Sequence, residues 1–363
     1  MKPGGAPQRT VRPGRRRALG LLGLGLLGAV AGRGGPGRPT HGDGRDAAGA
    51  ARADAGPSPT PTPTPREDRN KLGLHVNVWT FEAAAMVRWT DPAAVKVLDS
   101  SIDLWHLYEY RRRRPDGLVI LRVLGNDRLE ALGAAVDRTL RVADRIARFE
   151  PVVEVPVNEA HQSGSALRAY ADATSRAVER IAAAGYRPAV GNFSVGNPPR
   201  LRGAHVEGAP VPEESRDWPL FYPALAAARR VGGYLSLHEF WTPENALDTW
   251  HALRYRRVWA ELPAEHRLPV LITECGIDRA LLGRPQGGWQ VYRLTAEQCA
   301  EQLRRYRDAL AEDPYVHAAV VFACGTFNQW PRWRSYDVAG VPEVEAVLAE
   351  AVDGPPLWRP EAT

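Results

Sequence analysis

The run "VVEVPVNEAHQ", residues 152–162, decides the fold. Apart from Glu154 its first six residues are valine or proline, and the run then closes on Asn158 and Glu159. Such a short β-branched run reads as a strand buried on both faces. A buried strand that ends in an amide and a carboxylate is explained when many strand ends share one polar bowl. That is the geometry of a closed parallel barrel, whose functional groups collect at the C-terminal ends of its strands.

Seven more runs of the same kind lie around it. They are "LGLHVNV" from residue 72, "AAVKVLD" from 93, "LVILRVLG" from 118, "RPAVGNF" from 187, "GYLSLHEFW" from 233, "LPVLITECG" from 268 and "HAAVVFACG" from 317. Between them stand amphipathic stretches with apolar residues recurring at three and four, among them residues 131–149, 166–185 and 295–313. Eight strand–helix units predict an α/β fold, a (β/α)8 TIM barrel over residues 71–354, with 355–363 as a C-terminal tail. An open doubly wound sheet would carry a glycine-rich phosphate turn after its first strand, and "HVNVWTFE" has none.

Strand ends then nominate the bowl. Strand 1 offers His75 and Asn77, strand 2 Asp99, strand 3 Arg122 and Asn126, strand 4 Asn158 and Glu159, and strand 5 Asn192. Strand 6 offers His238 and Glu239, strand 7 Glu274, and the loop "GTFNQWPRW" after strand 8 adds Trp330 and Trp333. By alternation Glu154 faces the lumen, where a structural pairing with Arg122 or Lys96 is expected. The longest loop follows strand 5, over residues 195–225. Trp105 lies in a helical stretch and is expected in the core.

The charge balance is uneven. Of 363 residues, the first 70 hold 12 Lys and Arg against 5 Asp and Glu, and the rest hold 35 against 37, so the basic pI belongs to the leader. The one dense basic run after it, Arg111 to Arg114, reads as a solvated helix end, and no nucleic-acid partner is expected. Six basic residues precede "ALGLLGLGLLGAVA" (18–31), which ends in a small-x-small triplet. This is an export signal, with cleavage expected after Ala31 and a secreted or cell-surface location. Residues 32–70, with "PSPTPTPTP" at 57–65, hold too few large apolar groups to offset ordering and read as a disordered spacer able to tether the domain at a wall or surface. Cys275, Cys299 and Cys324 fit no zinc spacing and read as buried small hydrophobes, with one disulfide as the alternative.

A strand 4 ending in Asn-Glu ("VEVPVNE") with a strand 7 ending in a second glutamate ("LITECG") resembles the clan A glycoside hydrolases, retaining enzymes on (β/α)8 barrels. The resemblance spans residues 72–350. It implies that Glu159 is the general acid and base, Asn158 the ligand of the sugar 2-hydroxyl and Glu274 the nucleophile. It further implies that Arg122 holds the nucleophile ionised, that His238 occupies a strand 6 contact position, and that Trp330 or Trp333 is a sugar platform. Where this family often follows Asn-Glu with proline, this chain has Ala160 and His161.

The chemistry asks for these residue types. Glycosidic cleavage passes through an oxocarbenium-like state, so one carboxyl gives a proton to the leaving oxygen while the other attacks as an anion. Two glutamates must therefore sit in different environments. At least one of Trp79, Trp241, Trp330 and Trp333, all at or beyond strand ends, is expected to stack on sugar. His75 and His238 read equally as core histidines or substrate contacts. Two rivals stand beside this reading: a carbohydrate-binding barrel without turnover, and a metal-dependent hydrolase using His75, Asp99, His238 and Glu274. The expected protein is a monomeric glycosidase without metal or cofactor, whose partner is an oligo- or polysaccharide.

Overall fold

The computed structural model describes residues 70–125, 128–159, 163–206, 208–326 and 331–360. The expected export signal, the expected spacer before Asn70, Asn126, Ala160, His161 and Trp330 lie outside the described residues. The expected barrel forms. Its strands are β1 (Leu72–Val76), β2 (Ala94–Leu98), β3 (Leu118–Arg122), β4 (Val152–Glu154), β5 (Arg187–Phe193), β6 (Tyr234–Trp241), β7 (Val270–Ile277) and β8 (Val316–Cys324). Each is followed by a helix: α1 (Phe81–Thr90), α2 (Leu104–Arg113), α3 (Leu132–Asp144), α4 (Gly164–Ala183), α5 (Trp218–Arg230), α6 (Arg254–Glu261), α7 (Ala296–Ala311) and α8 (Pro342–Ala349). The strands pair in parallel in chain order, and β8 closes on β1.

Alternation builds two apolar layers. Ile120, Val152, Ala189, Tyr234, Leu271, Ala318 and Val320 fill the lumen floor. Their neighbours Leu121, Val153, Val190, Leu235 and Ile272 face the helices. Gly73 is required where β1 closes on β2, because a Cβ there would lie 2.6 Å from the Ala94 carbonyl oxygen.

Several expectations are corrected. Strand β4 stops at Glu154, so Asn158 and Glu159 hang on the loop beyond it. Pro156 has no N–H for the ladder, and the chain leaves extended geometry with φ of 80° at Val157 and 52° at Glu159. The loop stays anchored to β5 through Val155 N–H to the Ala189 carbonyl (2.9 Å) and Glu159 N–H to the Asn192 carbonyl (2.9 Å). Glu274 lies within β7 and not at its end. The segment after β5 is loop only as far as α5, which begins at Trp218, and it carries a small hairpin, His205–Val206 against Ala209–Pro210. Glu239 turns away from the bowl toward α6 and α7, accepting from Tyr255 N–H (2.7 Å) and the Tyr306 hydroxyl (2.6 Å). Trp105 is 66% exposed and not core. All three cysteines are buried and unbridged.

Candidate active site

Glu274 reaches the bowl because β7 carries a bulge. In plain alternation it would follow Ile272 outward. Between the pairings Leu237↔Ile272 and His238↔Glu274 the β7 strand has one residue more than β6. The same excess appears against β8, between Ala319↔Ile272 and Val321↔Cys275. The extra residue re-aims the glutamate inward, a use of bulges found beside active sites.

Once inside, Glu274 faces two fixed cations and two imidazoles. Its Oε1 accepts from Arg122 Nη1 at 2.8 Å and from Lys96 Nζ at 3.2 Å. His238 Nδ1 lies 3.6 Å from Oε2, and His75 Nδ1 lies 4.0 Å from Oε1. Burial by itself pushes this carboxyl up, but His238, Lys96 and Arg122 together outweigh burial and hold it well below the usual carboxylate range. Beneath it Lys96, fully buried, also lies 2.9 Å from Glu154 Oε1 and donates to the Thr273 carbonyl at 3.1 Å. The lumen-facing Glu154 thus finds Lys96, one of its two expected partners.

Glu159 stands higher and more open. Its side chain is 38% exposed against 8% for Glu274. His238 Nδ1 lies 3.0 Å from Glu159 Oε1, so one imidazole nitrogen faces both carboxylates. Donor atoms of Glu159, His238 and Glu274 all lie within 4.8 Å of one another.

The other nominated residues divide. His75 is buried in the lumen, and burial together with the charge of Lys96 holds its pKa well below that of an ordinary imidazole, so the ring is neutral. Asn77 is buried with no partner for its amide among the described residues. Asn158 is half-buried beside Glu159. Asn192 donates to the Val155 carbonyl at 2.8 Å and so braces the loop that holds Glu159. Trp333 joins Phe240, Phe322 and Tyr336 in an aromatic wall. Asp99 serves the scaffold, pairing with Arg138 (2.6 Å) and accepting from Leu124 N–H (3.0 Å). Trp241 is fully buried, donating to Gln302 at 2.9 Å, and touches no ligand surface.

Three groups escaped the strand-end rule. Lys96 was legible only as a lone charge in "AVKVL" and as a partner for Glu154, not as a neighbour of Glu274. Asp278 sits just past β7, held by Ala280 and Gly287 N–H groups at 2.9 and 3.3 Å. Burial, with the charge of nearby Glu159 added, pushes its carboxyl up. Carrying the strand on to Ile277 would have nominated it. The aromatics Phe240, Phe322 and Tyr336 gave no polar signal.

The set Glu159, His238 and Glu274 has the donor types of a metal site. It fits a cation poorly, because Glu274 Oε1 already faces Arg122 and Lys96 and a divalent ion there would sit against both fixed charges. The expected ligand set fails as well, since Asp99 is engaged with Arg138.

No family model matches the chain, and no curated protein sequence matches it. Solved structures similar in arrangement include an endo-β-1,3-glucanase of glycoside hydrolase family 128, subgroup II, from Sorangium cellulosum, at 16% identity over 78% of this chain and 99% of that one, with a TM-score of 0.45. The corresponding enzyme from Pseudomonas viridiflava is 14% identical over 78% and 98%, with a TM-score of 0.42. A glycoside hydrolase family 17 β-1,3-glucanosyltransferase from Rhizomucor miehei is 11% identical over 76% and 95%, with a TM-score of 0.45. At these values the likenesses carry no argument about activity, which rests on the residues of the bowl.

Proposed function

We propose that this chain is an exported glycoside hydrolase that cleaves an extracellular glycan with retention of configuration. The observation that carries the reading is the contrast between two close glutamates. Glu274 is buried, fixed by Arg122 and Lys96 and held as an anion, while Glu159 is the more exposed and faces His238. Oxygens of the two lie within 4.8 Å. Retaining pairs stand about 5–5.5 Å apart and inverting pairs about 6.5–9.5 Å, so the spacing favours retention.

Glu274 Oε1 is occupied by two cations, which leaves Oε2 as the attacking oxygen. It bonds to the anomeric carbon as that carbon's bond to the glycosidic oxygen breaks, and Glu159 passes its proton to that oxygen, releasing the leaving group as an alcohol. Water then attacks the same carbon, Glu159 takes the water's proton, and Glu274 departs as carboxylate. Two inversions give net retention. Asn158, beside Glu159, would hold the sugar 2-hydroxyl, and Trp333 with Phe240 and Phe322 would wall the sugar.

The test is hydrolysis of a panel of aryl glycosides and glycans by the full chain, with product anomers followed by NMR. Glu274→Gln and Glu159→Gln are each expected to lose several orders of magnitude in kcat/KM, with retained configuration in the parent. Activity that survives both substitutions would remove the assignment, and glycan binding without turnover would favour a binding protein.

A further inference from the structure

Five of the six large hydrophobic side chains left exposed among the described residues sit on two neighbouring helices: Phe81 and Trp89 on α1, and Leu104, Trp105 and Tyr108 on α2. Of these, Trp105 lines a cleft between the two helices and Tyr108 stands beside it, and exposed aromatic side chains grouped in this way, unlike scattered ones, call for an explanation. The cleft holds about 100 Å³, and its walls include Trp79, Arg88, Trp105, His106, Glu109 and Arg113.

We propose that this cleft is a second glycan-binding surface, which holds an outlying stretch of the polysaccharide that the bowl cleaves; the substrate class rests on the glycosidase reading above. The lining has the mixed character of a sugar. Trp79 is locked flat, stacked on His106 at 4.6 Å and 26° and donating its Nε1–H to the Ser101 carbonyl at 2.8 Å. The Trp105 ring stands beside Tyr108, 6.3 Å between centroids, as an open apolar platform. Around these rings lie fixed hydrogen-bonding groups, with Glu109 bonded to Arg112 at 3.2 Å and Arg113 to Asp91 at 2.7 Å. A pyranose has the matching form, an apolar C–H face rimmed by hydroxyls, and gains dispersion and burial against an indole while its hydroxyls stay paired.

Position names the same occupant. Trp79 follows the bowl residue Asn77 by two positions on the loop from β1 to α1, and Trp105 is in the first turn of α2. Both therefore lie toward the barrel end that carries the two glutamates, so a chain leaving the bowl over β1 and β2 meets the cleft. A ligand confined to the bowl would leave these rings uncovered.

The test uses the full chain carrying Glu274→Gln, so that polymer is held and not consumed, in depletion isotherms on insoluble β-1,3-glucan, cellulose, chitin and xylan. Retention on at least one polymer is expected, weakened about tenfold by Trp105→Ala, in the range of a buried aromatic anchor, and largely restored by Trp105→Phe. Equal retention of parent and Trp105→Ala, or no retention of the parent on any polymer, would overturn the proposal. So would a Trp105→Ala effect confined to self-association in sedimentation or to phosphatidylcholine vesicles. Aryl-glycoside turnover by the unsubstituted chain separates the two assignments: Trp105-dependent retention in a protein that hydrolyses nothing keeps the cleft and removes the bowl, and turnover with Trp105-independent retention does the reverse.

Discussion

Lys96 is the residue on which the candidate nucleophile rests. Its ammonium has three protons and three partners, Glu274, Glu154 and the Thr273 carbonyl, so it is held fixed in the lumen. Removing it alone would leave Glu154 as an unpaired buried charge, at about 3–5 kcal/mol. The informative variant is therefore Lys96→Met combined with Glu154→Gln, which keeps the floor neutral. A cation beside a carboxylate lowers its pKa, so losing Lys96 raises that of Glu274. The acidic limb of kcat/KM, where Glu274 becomes protonated, is expected to move to higher pH while the alkaline limb stays. An unmoved acidic limb would mean that Arg122 and His238 suffice. The depressed pKa of Glu274 also stabilises the fold at pH above the unfolded carboxylate value, and that contribution is lost as pH falls through the folded one.

At the scale of elements, β6 and β7 decide which acids see the bowl. The β7 bulge sends Glu274 inward, while unbroken alternation sends Glu239 of β6 outward against α6 and α7. Burial holds the Glu239 carboxyl well above the usual range, against the hydrogen bonds from Tyr306 and Tyr255. The folded chain then keeps a proton that the unfolded chain releases near pH 4.3, roughly, so wild-type stability falls as pH rises past that point. Glu239→Gln keeps an acceptor for the Tyr255 N–H, turns its amide N–H2 toward the Tyr306 hydroxyl, which can accept in turn, and removes the titrating proton. Its Tm is expected to gain on the wild type steadily from acidic to neutral pH, by thermal unfolding in matched buffers. A constant difference would show that Glu239 is ionised in the fold.

For the whole molecule, the buried free cysteines and the proposed export are compatible because none of the three thiols is reachable by a partner. Burial pushes all three thiols up, which keeps them in the unreactive neutral form. A thiol reagent is expected to label none of them in the native protein and all three in denaturant; early labelling would expose an opening of the barrel wall. Export predicts that protein recovered from outside the cell begins at Gly32, by N-terminal sequencing. A start at Met1 would indicate a retained anchor. Beyond the last helix, the expected tail still packs on the barrel, with Trp358 N–H donating to the Pro314 carbonyl at 2.8 Å and its ring edge-on to Trp259 at 5.0 Å.

Strand number, order and closure were legible in the chain alone, because each buried parallel strand is a short apolar run whose period needs no knowledge of its neighbours. The carboxylates were legible for the same reason: a polar residue interrupting such a run must be aimed at something. Which way each one points was not. Alternation assigned Glu154 to the lumen correctly, yet it would have turned Glu274 outward, and only the mismatch of β7 with both neighbours reverses it. Proximity to strand ends overrated Glu239, Asp99 and Trp241, and helical context misplaced Trp105. Register, bulges and the packing of one helix on the next are set by contacts between residues far apart in the chain. They therefore appear only when the barrel is closed.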